Sequence, residues 1–189
     1  MKPTATPAPT PIINPFRDVK VSDWFYEAVL WAVQNEVTGG TSATTFSPEN
    51  DCTRAQVVTF LWAANGRPEP ATTDNPFKDV KETDWYYQAV LWAVENQITA
   101  GTSVDTFSPE DTCTRGQVAT FLWRAQGKPA AAESTNPFSD VAEDVYYYEP
   151  ILWAVEEGVT QGTGKGKFSP ENDCTRGQIV TFLYRALSA

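Results

Sequence analysis

One tetrapeptide pattern able to do chemistry occurs three times: Thr53-Arg54-Ala55-Gln56, Thr114-Arg115-Gly116-Gln117 and Thr175-Arg176-Gly177-Gln178. Thr and Gln at this spacing form a capping box, in which the Thr hydroxyl accepts from the amide three residues on and the Gln side chain returns to the Thr amide. The arginine has no part in capping, and a cation at a helix N-terminus opposes the macrodipole. Two chemistries account for it. In one, the stem packs on an aromatic ring and the head pairs with a loop carboxylate such as Asp51, Asp111 or Asp18. In the other, the guanidinium aims planar donors into a groove, toward an anionic or carboxylate-bearing ligand.

The elements that must position these arginines repeat at one interval. Pro15, Pro76 and Pro137, each within Asn-Pro-Phe, lie 61 residues apart (76−15 and 137−76), and Cys52, Cys113 and Cys174 keep the same spacing. Each copy opens with an apolar block, Trp24 to Val33, Trp85 to Val94 and Tyr146 to Val155, that predicts a first helix. Ser22 or Asp23, Thr83 or Asp84, and Asp144 are its expected N-caps, and Pro150 falls in the first turn, where its missing N–H is tolerated. Gly39-Gly40, Gly101 and Gly162 then suit a chain reversal, and a Phe-Ser-Pro-Glu turn follows at Phe46, Phe107 and Phe168. A second helix starts at each capping Thr and stops near Asn65-Gly66 and Gln126-Gly127. It is apolar around most of its circumference and must be buried, which two helices alone cannot achieve.

These constraints predict a mainly all-α fold of three helix-loop-helix repeats, closed with pseudo-threefold symmetry around a central bundle of the three second helices. The expected units are 14–66, 75–127 and 136–189, preceded by a Pro/Thr-rich linker over 1–13. A net charge of −10, with 24 acidic against 14 basic residues, disfavours nucleic acid as a partner. No apolar run approaches the roughly 18 residues that would insert in a membrane. An exported module without a leader of its own is expected to be part of a longer protein, or to carry a Met1 added for expression.

The chain has no His, which excludes Ser-His and Cys-His nucleophile pairs and His metal ligands. Catalytic sites combine unlike residues at one place, whereas these candidates recur in every copy, so neither an enzyme nor a cofactor is expected. The single Cys before each capping Thr reads as a free core thiol; a three-Cys metal site on the axis finds no supporting His and no Cys-x-x-Cys.

Taken together, Phe-x-Asp-Val (Phe16 to Val19, Phe77 to Val80, Phe138 to Val141), the aromatic helix start, the loop glycine, Phe-Ser-Pro and Thr-Arg-Ala/Gly-Gln closely resemble the S-layer homology domain family over all three units. The resemblance implies a three-pronged spindle at the bacterial cell surface. Such a spindle holds an exported protein, absent from this chain, on the wall by binding secondary cell-wall polysaccharide, often pyruvylated, in grooves between units. It puts Arg54, Arg115 and Arg176 at the ligand carboxylate and Trp24, Trp85 and Tyr146 under its sugar rings. Asp18, Asp79, Asp140, Gly40, Gly101 and Gly162 would line the same grooves. Gln stands where the family usually has Glu in its Thr-Arg-Ala-Glu signature, removing three charges near the arginines. Some relatives recognise amine-modified peptidoglycan instead, which the acidic chain also suits. A protein-interaction or lattice module is the rival class. Tyr146, Val145, Lys165 and Lys167 set the third unit apart, so unequal sites are expected, with the first two units nearest the family pattern.

Overall fold

The computed structural model describes residues 13–131 and 135–188, so nearly all of the expected N-terminal linker lies outside the described residues. Among these it contains six helices: α1 (Tyr26–Gln34), α2 (Arg54–Ala64), α3 (Tyr87–Glu95), α4 (Arg115–Ala125), α5 (Tyr148–Glu156) and α6 (Arg176–Leu187). The fold is mainly α, with only isolated β-bridges between loops.

Capping boxes start α2, α4 and α6 as expected: Thr53, Thr114 and Thr175 accept from Gln56, Gln117 and Gln178, whose side chains return to the cap amides. The next two orphan donors of each helix are satisfied by another unit. Arg54 and Ala55 donate to the carbonyls of Asp111 and Pro109, Arg115 and Gly116 to Asn172 and Pro170, and Arg176 and Gly177 to Asn50 and Pro48. A helix N-terminus needs such partners when it is buried, and here the fold makes that need a junction between units.

The first helices differ from the sequence expectation. They begin at Tyr26, Tyr87 and Tyr148 after Phe25, Tyr86 and Tyr147, none of which supplies a side-chain cap. Asp23 and Asp84 are engaged one turn earlier, accepting from the Lys20 and Lys81 amides, which closes a turn that displaces the helix start.

Helices α2, α4 and α6 pack on one another at the centre. Val57, Val118 and Ile179, then Leu61, Leu122 and Leu183 one turn on, meet around an apolar void of about 10 Å³. The outer helices interleave with other units: α1 packs on α6, α3 on α2 and α5 on α4. Each unit thus lays its first helix on the second helix of the unit before it in the ring.

The ring closes through the cysteines. Cys52 N–H donates to Cys174 C=O, Cys174 to Cys113 and Cys113 to Cys52, at 2.9–3.0 Å. All three thiols are free and buried. Burial pushes Cys52 and Cys113 up to about 12 and Cys174 well up, against the opposing pull of Arg176, Arg54 and Arg115 respectively. Thiolate is the reactive species, so a disulfide-exchange dye is expected to titrate no thiol in the native protein and three after denaturation. Stoichiometric reaction without denaturant would contradict this packing. No group of three or more His, Cys, Asp or Glu side chains among the described residues is placed to hold a metal ion.

Candidate functional site: three inter-unit grooves

The arginine at the first position of each central helix turns away from its own unit. Arg54 Nε donates to Phe107 C=O at 2.9 Å, Arg115 Nε to Phe168 C=O at 3.0 Å and Arg176 Nε to Phe46 C=O at 2.8 Å. Each guanidinium lies against two rings of the next unit, Phe107 and Phe121 for Arg54, Phe168 and Phe182 for Arg115, and Phe46 and Phe60 for Arg176, at 4.8–5.5 Å from the ring centroids. The residues are only 3–4% exposed.

These are buried cations without carboxylates against them. The ion pairs among the described residues are Arg67–Glu36 and Lys78–Asp105, both elsewhere. Nη2 of Arg54, Arg115 and Arg176 is buried and has no hydrogen-bond partner among the described residues. Burial lowers all three guanidiniums from their ordinary value, opposed by neighbouring thiols and more distant carboxylates; arginine nonetheless stays charged. A buried charged donor left unpaired costs about 1–3 kcal/mol or more, and three at equivalent positions form a pattern.

Around the Arg54 and Arg115 guanidiniums the structure assembles a groove from all three units. One, of about 370 Å³, is lined by Arg54 from the first unit, Thr99, Gly101, Gln117, Thr120 and Arg124 from the second, and Tyr146 from the third. Another, of about 470 Å³, has Arg115 from the second unit, Thr160, Gln161, Gly162, Gln178, Thr181 and Arg185 from the third, and Trp24 from the first. The same period assigns Arg176, Thr38, Gly40, Gln56, Thr59, Ala63 and Trp85 to the Arg176 groove. Trp24, Trp85 and Tyr146 are exposed by 61%, 63% and 59%, whereas Trp92 and Trp153 belong to the core.

The sequence grouped site residues by unit; the structure regroups them. Tyr146, the third unit's aromatic departure, lines the Arg54 groove, while the third unit's loop enters the Arg115 groove through Thr160, Gln161, Gly162 and Thr163. Neither lysine lines the Arg115 groove.

The acidic candidates are engaged in the backbone. The two carboxylate oxygens of Asp18 accept from Phe46 and Ser47 N–H at 2.9 and 2.7 Å, with Asp79 and Asp140 doing the same for Phe107/Ser108 and Phe168/Ser169. They hold the Phe-Ser-Pro turn, with its Ser at φ of 57–58°, and so fix the carbonyl that each arginine Nε grips. Burial alone would raise Asp18 and Asp140, but the paired amides outweigh it and hold both carboxyls below the ordinary value of 3.8. A folded pKa below the unfolded one contributes stability that is full above the unfolded pKa and is lost as pH falls through the folded value. The Asp18→Asn/Asp140→Asn variant should therefore melt below the parent at pH 7, with the gap closing below about pH 4. A gap independent of pH would contradict the assignment.

Gly101 also has a conformational role. Its φ is +84°, and a Cβ there would stand 2.5 Å from both the Phe77 ring and the Thr106 carbonyl.

Gln117, Thr99, Thr120, Arg124, and their counterparts Gln178, Thr160, Thr181 and Arg185 were not assigned to grooves by sequence reasoning. Comparing the second helices at the 61-residue period (124−63 and 185−124) would have flagged Ala63, Arg124 and Arg185 as a departure. Gln117 Oε1 lies 3.4 Å from Arg54 Nη1 while also accepting from the Thr114 amide.

A helical repeat module whose grooves are shared by successive repeats is the class that this geometry defines. The chain belongs to the S-layer homology domain family, whose model matches residues 15–58, 76–119 and 137–180. An endoglucanase of Bacillus sp. (strain KSM-635) is 32% identical over 183 residues, 92% of this chain and 19% of that protein. The surface-layer 125 kDa protein of Lysinibacillus sphaericus is 30% identical over 175 residues, 89% of this chain and 14% of its own length. A cellulosome-anchoring protein of Acetivibrio thermocellus is 26% identical over 148 residues, 75% of this chain and 33% of that protein. The chain thus spans a third or less of each of these relatives.

Proposed function

We propose that this chain is a non-enzymatic anchoring module that holds a larger protein on the bacterial wall by binding secondary cell-wall polysaccharide in its three grooves. As a member of its family it is a cell-surface module, and its relatives include proteins named for surface layers and for anchoring. The match to an endoglucanase covers 19% of that enzyme and brings no catalytic reading with it.

The observation that carries the glycan reading is the buried, carboxylate-free arginine lining the Arg54 and Arg115 grooves, each with an unpartnered Nη2. A carboxylate on a terminal sugar, such as a pyruvyl acetal, would complete its donors in a planar, charge-assisted pair. Trp24, Trp85 and Tyr146 offer exposed ring faces to the C–H side of a sugar. Gly40, Gly101 and Gly162 keep the loop backbone close to the groove. Asp18, Asp79 and Asp140 act on the ligand indirectly, through the turn that orients each arginine. A groove with a cationic floor suits an anionic glycan better than an amine-modified one.

The test is sedimentation with purified sacculi before and after acid extraction of the polysaccharide. Binding should be lost with the extracted material and be competed by it. Retention on fully stripped peptidoglycan would point to the amine-modified polymer, and retention after all glycan is removed would point to a protein partner; either result overturns the proposal.

A further inference from the structure

Besides the aromatic wall, Tyr146 in one and Trp24 in another, the groove linings differ at a charged position that the fold does not require. On α4, Arg124 lines the Arg54 groove, and its Nη1 donates to Ile98 C=O at 3.0 Å. On α6, Arg185 lines the Arg115 groove, and its Nη1 donates to Val159 C=O at 3.3 Å. The equivalent position on α2 is Ala63, which is buried.

A basic residue in the last turn of a helix has an ordinary structural explanation, since it complements the C-terminal dipole. Yet α2 and α4 both have 11 residues, and their C-caps, Asn65 and Gln126, have φ of −92° and −86°. The helix therefore ends in the same way with alanine as with arginine. No carboxylate among the described residues forms an ion pair with Arg124 or Arg185. One donor of each is tethered to a carbonyl, which holds the fork in place and leaves its other N–H groups to the groove. Arg124 is close enough to the aromatic wall to act on it: burial and Glu171 push the Tyr146 phenol up, while Arg54 and Arg124 pull it down.

We propose that Arg124 and Arg185 are specificity-determining residues that make the Arg54 and Arg115 grooves two-cation sites for a glycan terminus bearing a second anionic group beside its carboxylate, whereas the Arg176 groove reads one anionic group only. This rests on the glycan reading above. The buried floor arginine takes the carboxylate and the wall arginine takes the second charge. Two grooves then bind tightly and one weakly, with the weak groove formed by the second helix of the first unit.

The experiment is calorimetry of the full chain with oligosaccharide fragments of the polysaccharide that sacculi lose on acid extraction. Four proteins are compared: the parent, Arg124→Ala/Arg185→Ala, Ala63→Arg, and the floor variant Arg54→Met/Arg115→Met/Arg176→Met. The parent should show two tight sites and one about tenfold weaker, the scale of one charge-assisted contact. Arg124→Ala/Arg185→Ala should bring all three to the weak class with a shallower salt dependence, at an unchanged melting temperature within a few degrees. Ala63→Arg should raise the tight stoichiometry from two to three. An Arg124→Ala/Arg185→Ala isotherm matching the parent's, while the floor variant fails to bind, would overturn the inference and leave the glycan reading standing. A floor variant that binds like the parent would overturn that reading itself. If Ala63→Arg does not fold, the Arg124→Ala/Arg185→Ala comparison still decides.

Discussion

Replacing Arg54, Arg115 and Arg176 together by methionine should abolish retention on sacculi and leave the melting temperature within a few degrees of the parent's. Both halves follow from the environment of the guanidiniums. Each substitution removes one charge-assisted Nε bond to a Phe carbonyl, about 1.5–3 kcal/mol, and a stacking contribution of about 0.5–2 kcal/mol. Against this, it removes a desolvated cation with an unsatisfied donor, a burden of comparable or greater size. Methionine also fills much of the volume and packs its sulfur on the same phenylalanine rings. For binding nothing offsets the loss: each groove forfeits its charge-assisted contact, roughly tenfold to a hundredfold, and the losses compound because the sites act together on one polymer. Thermal melts and sedimentation measure the two halves separately. A folded variant that still binds would remove the arginines from recognition, and one that fails to fold would make them structural.

The second large effect is expected from where the chain is cut. A protein ending at Gly127 should show no cooperative melt and should bind a hydrophobic dye. It keeps two whole units, but α1 loses α6, α4 loses α5, and the central bundle loses one of three helices. Large apolar faces are then exposed, and the remaining chain is too small to re-bury them. A permutant that joins the two ends of this chain and opens it between Arg67 and Asn75 keeps every interleaved pair and should melt cooperatively. Chemical denaturation followed by tryptophan fluorescence distinguishes them. A cooperative melt of the truncated protein would show that the interleaving contributes little.

The central helices were legible because their signals are local. Thr-x-x-Gln fixes the start, Asn65-Gly66 the end, and the nearly continuous apolar surface demands burial in a bundle. The first helices were less so: Asp23 looks like a cap, but its carboxylate serves the Lys20 amide instead. The arginines were legible as an anomaly, since capping has no use for them, although their partners were not. Arg176 reaches Phe46 across 130 residues, and no local pattern states which copy a side chain will visit. A repeat sequence makes this ambiguity acute, because Phe46, Phe107 and Phe168 offer the same carbonyl. Asp18 was recognisable as a turn or groove residue, but its grip on two amides some 28 residues away depends on loop closure.

The junction between the last unit and the first has a mechanical meaning. Four hydrogen bonds cross it side by side, from Cys52 N to Cys174 O, from Arg176 N to Asn50 O, from Gly177 N to Pro48 O and from Arg176 Nε to Phe46 O. It works as a clasp. Because α1 and α6 lie against each other beside it, parting the first unit from the third would break these four bonds together with that helix contact. Under the proposed reading, a ligand held by Arg176 would lie across the same clasp, and its binding would oppose parting of the first unit from the third.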